Sequence, residues 1–349
     1  METPSILVIV LNYRTPELSL KAAEHAVVAL DGMPGAISIV DNGSGDGSIE
    51  VIADGIAARG WDRVTLMQAG RNGGFGAGNN YGIQAGLPAA FPGGARPDYI
   101  YLLNSDAWPH PGAISALVAA LERAPKAGIA GSRTIGDDDV PHQTAFRFPT
   151  ILGEFEGAVR TGFFTRLLRD WVVPLPLLEA QTRVDWVAGA SILLRSKALE
   201  EVGLFDETFF LYYEETDLCL RAARAGWRCL YVPSSKAVHI GSVSTGMREW
   251  TRSPSYWFDS RLHYFTQNHG RAYAVAATLS RIAGEALWRL RCALSRRVRR
   301  DPPRFLWDLI AHGLCRMLAS RSRRAIPFTA PCALPSTAPK GATIGGDSV

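Results

Sequence analysis

The chain reads as an α/β protein built on a mainly parallel central sheet, and three observations predict it. From residue 5 to about 110, short apolar runs alternate with helical stretches, the pattern of successive βαβ units. Polar residues follow directly on those runs, at Asn12, Asp41 and Asn104-Ser105-Asp106, where ligands gather beyond the carboxyl ends of parallel strands. Hydrophobic residues make up 47% and charged residues 20% of 349 positions, which is enough apolar surface to bury a core and far from a disordered composition.

Taken in order, Ile6 to Leu11 is the first strand. The apolar start at Pro4 has no basic leader and is too short for a signal core or a membrane span. Pro16 to Leu30 reads as a helix, Ala36 to Val40 as a second strand closed by the turn-rich segment Asp41 to Ser48, and Ser48 to Arg59 as a helix opened by an Asp/Ser cap. Val64 to Gln68 is a third strand. The glycine-rich segment Asn72 to Gly78 then precedes a helix over Asn79 to Leu87, and Tyr99 to Leu103 is a fourth strand. Residues 137–180 show no clean period and read as a variable, partner-facing loop region. Val184 to Arg195 is strand-like, Glu215 to Ala225 helical and Arg228 to Val232 a short strand. Residues from about Ala325 are rich in Pro, Thr, Ser and Gly and are expected to be disordered.

Charge is unevenly spread. Twelve arginines between Arg281 and Arg324 face only Glu285, Asp301 and Asp308, so this stretch carries +9 and the rest of a chain of net +4 carries −5. Leu287, Trp288, Leu290, Leu294, Trp307, Leu309 and Leu314 interleave with those arginines, a pattern suited to an anionic membrane surface. A helical pair packed on the main domain with a solvated basic face fits the same pattern. No nucleic-acid module accompanies the charge, so no nucleic-acid partner is expected. The five cysteines are an odd set without a CxxC pair, which argues against a disulfide framework or a zinc ribbon and for a reducing, cytoplasmic setting.

Several constellations carry chemistry. Phe210 to Arg221 sets Glu214, Glu215 and Asp217 behind an aromatic run at a helix start. Apolar walls raise carboxylate basicity, which suits a general base; acids in a first helical turn also complement the macrodipole. Asn12-Tyr13 and Asp41-Asn42, at consecutive strand ends, suit a base and ribose, with Asx turns as the structural alternative. The glycine-rich loop, with Arg71 before it, offers N–H groups to a phosphate, yet it matches neither a Walker loop nor a dinucleotide fingerprint. Asp106 on a loop after the fourth strand, with a later His239, would hold a hard cation such as Mg²⁺ or Mn²⁺ and leave positions for phosphate oxygens. A turn histidine before Gly241 is the alternative for His239.

These segments resemble family 2 glycosyltransferases of the GT-A (nucleotide-diphospho-sugar transferase) fold, especially bacterial rhamnosyltransferase-like members. VIVLNYRTP, VDNGSGDGS, NGGFGAGNNYGI, YLLNSDAWP, VDWVAGASILLRS, GLFDETFFLYYEETDLCLRAARAGW and HIGSVST occur in the family's order between residues 6 and 245. The resemblance implies a GT-A catalytic domain over 1–265, after which the charge pattern and composition predict a basic amphipathic helical extension over 266–324 and a disordered tail over 325–349. It implies that Asn12, Tyr13, Asp41 and Asn42 hold the nucleoside, and that Arg71, Phe75, Asn79, Asn80, Asn104 and Ser105 border the diphosphate and sugar. Asp106 closes the family's DxD-type element, here with Asn104 in its first position, and would ligate the metal with His239. Trp186, Gly189 and Ala190 would shape the acceptor side. The family's base is the second acid of a Glu-Asp pair; here the pair is Glu214-Glu215, which assigns the base to Glu215 with Glu214 as the alternative.

The activity so implied is inverting transfer of a sugar from a nucleotide-diphosphate donor to a glycan or lipid-linked glycan acceptor in cell-surface polysaccharide synthesis, at the cytoplasmic face of the inner membrane. L-rhamnose from dTDP-L-rhamnose is the donor favoured by the resemblance, with a UDP-sugar as the alternative. A nucleotidyltransferase would need a basic glycine-rich signature after the first strand, where this chain has Asn12 to Pro16. A non-catalytic sugar-nucleotide scaffold would have no use for the converging carboxylates.

Overall fold

A computed structural model of the chain describes residues 3–90, 96–241, 251–295, 302 and 304–317. The expected tail over 325–349, the segment Ser242 to Thr245 and the arginines of 296–300 and 321–324 lie outside the described residues. The first half runs β1 (Ile6–Asn12), α1 (Pro16–Ala29), β2 (Gly35–Asp41), α2 (Ser48–Arg59), β3 (Val64–Gln68), α3 (Gly74–Ala90), β4 (Tyr99–Asn104), β5 (Ala107–Pro109), α4 (Ala113–Glu122) and β6 (Ala127–Ile135). The second runs β7 (Ala145–Phe146), α5 (Ile151–Val159), α6 (Gly162–Leu167), β8 (Thr182–Val184), β9 (Trp186–Val187), β10 (Ser191–Arg195), α7 (Ser196–Val202), α8 (Glu214–Arg224), β11 (Arg228–His239), α9 (Ser255–His269), α10 (Arg271–Ser295) and α11 (Phe305–Met317).

The described strands form a nine-stranded sheet in the order β3-β2-β1-β4-β10-β6-β11-β5, with β8 beside β11. β1 to β4, β6 and β11 run one way; β10 enters antiparallel between β4 and β6, so the sheet is mixed but mostly parallel, as the sequence predicts. β1 is an unbroken apolar run because helices cover both of its faces. Its period of two is still legible: Ile6, Val8 and Val10 pack with α1 and α4, and Leu7 and Ile9 with α3 and α8. Register pairs Asn12 with Asp41 and Leu11 with Asn104, so these strands end together and their polar ends share one rim.

Three expectations need correction. The glycine-rich segment is not a loop before a helix at Asn79, because α3 already begins at Gly74. Gly78, Gly82 and Gly86, spaced four residues apart, form a stripe on which the helix lies against the sheet. A Cβ at Gly78 would sit 2.5 Å from Leu11 Cδ1, and one at Gly82 2.7 Å from Val40 Cγ2. The glycines therefore serve helix-on-sheet packing. The Phe75 N–H at the start of the helix is taken by the Phe210 carbonyl at 3.0 Å, which removes a donor from the expected phosphate cradle.

Residues 137–180, expected to be a loop, contain β7, which pairs with β9 in a separate two-stranded sheet, helices α5 and α6, and a 3-10 turn over Arg169–Trp171. Thr150 caps α5 by accepting from the Gly153 N–H. The helix escapes a periodicity reading because Glu154 and Glu156 are among its buried residues, so its inner face is not apolar. Glu154 is buried by virtue of its partners: Arg261 Nε of α9 donates to Glu154 Oε2 at 2.9 Å and Arg281 Nη1 of α10 donates at 3.2 Å. Val184 to Arg195, expected as one strand-like run, is divided among β8, β9 and β10. α10 lies on α5 at Gly284, where a Cβ would approach the Phe155 carbonyl to 2.7 Å. Phe209, Leu220, Leu262, Phe265, Ala274 and Ala277 form one apolar cluster joining α8 to α9 and α10.

Because α3 has no slack against the sheet, Gly82→Val should cost about 1–3 kcal/mol by overpacking against Ile9 and Val40. Urea denaturation of the variant should show a lower midpoint with an unchanged slope.

Candidate active site

A cleft of about 790 Å³ opens over the common strand rim. Its walls bring together Tyr13, Asn42, Phe75, Asn104, Ser105, Asp106, Trp186, Gly189, Ala190, Glu214, Glu215 and His239 from the sequence expectations. Asn12 and Asp41 are buried beneath it. Asn12 Nδ2 donates to Asp41 Oδ1 (2.8 Å) and Ser44 Oγ (3.1 Å), Asn12 Oδ1 accepts from Ser19 Oγ (2.8 Å), and the Ser44 N–H donates to Asp41 Oδ2 (3.1 Å). These two residues brace the strand ends that carry Tyr13 and Asn42. Asn42 Nδ2 in turn donates to the Gly74 carbonyl at 3.1 Å, tying the rim to α3.

Asn79 and Asn80 are likewise internal. Asn79 Nδ2 donates to the Phe75 carbonyl at 2.9 Å, and Asn80 exchanges hydrogen bonds with the Phe205 backbone at 2.9 and 3.1 Å, holding the segment that leads to α8. Arg71 is exposed and lies outside the cleft lining, its backbone packed on Gly43.

Asp106 and His239 meet because β11 changes register between Val232 and Lys236 and then pairs with β5, placing His239 opposite Ala107. His239 Nε2 lies 3.3 Å from Asp106 Oδ1, and Asn104 Nδ2 lies 3.5 Å from the same nitrogen. Among the described residues no group of three or more His, Cys, Asp or Glu could hold a metal ion. The carboxylate and imidazole here could ligate a hard divalent cation with substrate oxygens completing its coordination.

Before the acids, Tyr212 and Tyr213 both adopt left-handed backbone, with φ of 69° and 70°. Such conformations cost about 1–3 kcal/mol each for residues other than glycine, and persist only where the surroundings enforce them. Here the Phe210 carbonyl is held by Phe75, the Tyr213 ring packs 5.3 Å from Tyr264, and Gly74 is required because a Cβ there would fall on the Phe210 carbonyl. The turn launches α8 so that Glu214 and Glu215 occupy its first turn. Asp217 does not cap this helix. It accepts from Arg221 Nε and from Asn268 Nδ2, each at 2.7 Å, while Arg221 also binds the Val202 and Leu204 carbonyls.

Burial pushes the Glu214 carboxyl well above the usual carboxylate range, and the neighbouring Glu215 charge adds to it. Burial also raises Glu215, opposed by its own backbone N–H and that of Gly189. Oε2 of each side chain has no hydrogen-bond partner among the described residues. Burial thus disfavours two charges in this pair, with Glu214 the more strongly raised of the two.

The sequence model of the family described as "Glycosyltransferase like family 2" matches residues 4–273. The chain belongs to this family. It is 34% identical over 218 residues to N-acetylglucosaminyl-diphospho-decaprenol L-rhamnosyltransferase of Mycobacterium tuberculosis, covering 61% of this chain and 69% of the relative. It is 42% identical over 67 residues to rhamnosyltransferase WbbL of Escherichia coli, covering 19% and 25% respectively. Among solved structures, the mannosyltransferase PcManGT from Pyrobaculum calidifontis, in complex with GDP-Man and Mn²⁺, superposes with a TM-score of 0.52 at 15% identity, covering 91% of this chain and 81% of that one. That likeness supports the GT-A fold.

The glycosyltransferase cleft also has walls that sequence reasoning did not single out: Phe146, His142, Tyr212 and Tyr256. Phe146 stacks on Trp186 with ring centres 4.1 Å apart, and Trp186 Nε1 donates to the Arg147 carbonyl at 2.9 Å. Phe146 lies in the segment read as a loop. Tyr212 was legible only as part of the aromatic run before the acids.

Glu214 has a folded-state pKa above its unfolded value, so it is tolerated below the ordinary carboxylate range and destabilises the fold as pH climbs through the raised pKa. Glu214→Gln should therefore leave Tm nearly unchanged at pH 4 and raise it at pH 8, read by differential scanning calorimetry.

Proposed function

We propose that this glycosyltransferase moves L-rhamnose from dTDP-L-rhamnose to a hydroxyl of a lipid-linked glycan by single displacement with inversion. The observation that carries this reading is that Glu215 and the Asp106–His239 pair line one cleft. An activated sugar between them would have a proton acceptor on one side and its diphosphate on the other. The rhamnosyl group and the lipid-linked acceptor follow the mycobacterial relative, an N-acetylglucosaminyl-diphospho-decaprenol L-rhamnosyltransferase, and the dTDP donor follows the family resemblance.

In this mechanism Tyr13 and Asn42 hold the nucleoside at the rim. Ionised Glu215 accepts the proton of the acceptor hydroxyl as its oxygen bonds to the anomeric carbon, and the bond from that carbon to the diphosphate oxygen breaks with its electron pair leaving on the diphosphate. Glu214, holding a proton, keeps a second negative charge away from the reacting centre. Asp106 and His239, with Asn104 beside them, would hold Mg²⁺ or Mn²⁺, which when bound neutralises charge on the leaving diphosphate.

Glu215→Gln should lower transfer by about 10²–10⁴-fold while nucleotide-sugar binding persists. Glu214→Gln, which copies the neutral acid, should retain activity within a few-fold. Assays with a panel of nucleotide sugars, each with Mn²⁺ and with chelator, check both the donor and the cation. Normal turnover by Glu215→Gln would remove it as the base. In the wild type, kcat/KM should fall as pH drops through a pKa above the usual carboxylate range, because the base must be ionised.

Lipid-linked acceptors require an approach to a bilayer. α10 exposes Leu287, Leu290 and Leu294, and α11 exposes Trp307 and Leu314, within the arginine-rich stretch. No described helix is long and apolar enough to cross a membrane. We propose that this face rests on anionic lipid. Sedimentation with phosphatidylglycerol vesicles should show binding that weakens with salt and with Leu290→Asp plus Leu294→Asp; binding indifferent to both would sink the idea.

A further inference from the structure

Four hydroxyls form one row across the sheet, on four neighbouring strands: Tyr101 on β4, Ser191 on β10, Ser132 on β6 and Ser235 on β11. Tyr101 Oη lies 2.6 Å from Ser191 Oγ, Ser191 Oγ 2.6 Å from Ser132 Oγ, and Ser132 Oγ 2.7 Å from Ser235 Oγ. All four residues are buried, and their neighbours Leu103, Ala130, Leu193 and Val232 belong to the apolar cluster under α1 and α4. None of the four lines the cleft.

The row has a direction. Burial pushes the Tyr101 hydroxyl up, so it keeps its proton, and its acceptor among the described residues is Ser191. Tyr101 therefore donates to Ser191, Ser191 to Ser132 and Ser132 to Ser235, each bond polarising the next. The reverse order would leave the tyrosine proton without an acceptor in an apolar layer.

The last hydroxyl sits where β11 breaks its register. β11 pairs Val232 with Ser132 and then Lys236 with Arg133, so Pro233, Ser234 and Ser235 have no counterpart on β6. Continued unbroken, the first register would set Ser235 opposite Ile135. With the excursion that place is held by Val238, and the residue that follows is His239 instead of Lys236. His239 then pairs with Ala107 of β5, its Nε2 lies 3.3 Å from Asp106 Oδ1, and the Ile240 N–H donates to the Asp106 carbonyl at 3.1 Å. Ser132, the last residue paired before the break, grips the excursion through Ser235. Replacing both partners of a buried hydrogen bond by apolar groups of the same shape is nearly neutral for stability, so what the row adds is specificity in where the chain re-enters the sheet.

We infer that Ser132 and Ser235 are positioning residues for His239: their bond fixes the β11 excursion and so holds the imidazole at Asp106, where a divalent cation would meet the donor diphosphate. The inference rests on the cation reading above and adds to it two residues that touch neither cation nor donor.

The test is calorimetric. dTDP, with UDP in parallel, is titrated into full-length protein in Mn²⁺ and again in chelator, and the ratio of the two Kd values is the gain that the cation supplies. Ser132→Ala and Ser235→Ala remove the same bond from opposite ends without adding volume, either one alone carries the test, and thermal melts establish that each is folded at the titration temperature. Each should cut the gain by about tenfold, the lower end of what losing a ligand's supporting hydrogen bond costs a metal site, with Kd in chelator unchanged. Both should be silent in the His239→Ala background, because they act through that side chain.

A gain unchanged in both serine variants would make the row a packing element and overturn the inference. A loss that recurs undiminished beside His239→Ala would overturn it too, since the serines would then act by another route. If neither nucleotide gains from Mn²⁺ in the wild type, or if His239→Ala leaves the gain intact, the cation reading itself fails and the inference falls with it, so the two failures are distinguishable.

Discussion

Two carboxyl groups buried side by side in the first turn of α8 are the constraint around which the site is arranged. Neither has a full set of hydrogen bonds, and both are pushed up by burial, so the fold carries them at a cost in stability. The backbone that delivers them is also strained, with two consecutive tyrosines in the left-handed region. The surroundings repay this by over-determination: the Phe75–Phe210 backbone bond, the Tyr213–Tyr264 contact and the Asp217–Arg221–Asn268 cluster hold the turn from three sides. A helix dipole whose positive end lies at Glu214 and Glu215 helps the one that must ionise.

The C-terminal helices belong to this arrangement. Arg261 and Arg281 reach from α9 and α10 to a single buried oxygen of Glu154 on α5. Breaking such a network by removing one partner leaves an uncompensated charge, so the three helices are coupled to one another and to the cavity wall behind Glu215. Arg281 joins the two roles, pairing with Glu154 while lining a small cavity that Glu215 also lines. The opposite face of α10 exposes leucines, which gives one helix an inner polar duty and an outer apolar surface.

Much of the site was legible in the residues. Asp106, His239, Glu214 and Glu215 each stood in a distinctive local setting, and the structure brings all four to one cleft. Asn12 and Asp41 looked the same in sequence as Asn42 and Asn104, because a polar group bracing a turn and one facing a ligand follow a strand in the same way. What tells them apart is that Asn42 and Asn104 line the cleft and Asn12 and Asp41 do not, which is a property of the whole sheet. The glycine-rich segment misled for a related reason: glycines needed for a helix to approach a strand are written identically to glycines needed to cradle an anion.

By itself the sequence determined the order of strands and helices in the parallel half, the polar rim above them and the acidic helix start, because these depend on local periodicity and on residue type. Only the tertiary structure decided which polar groups reach the cleft, that α5 is a helix at all, and that α9 and α10 wall a second chamber beside the base. A buried Glu154 that stays ionised because two distant arginines meet it has no local signature; its pattern becomes readable when residues 107 and 127 positions apart are brought within hydrogen-bond reach.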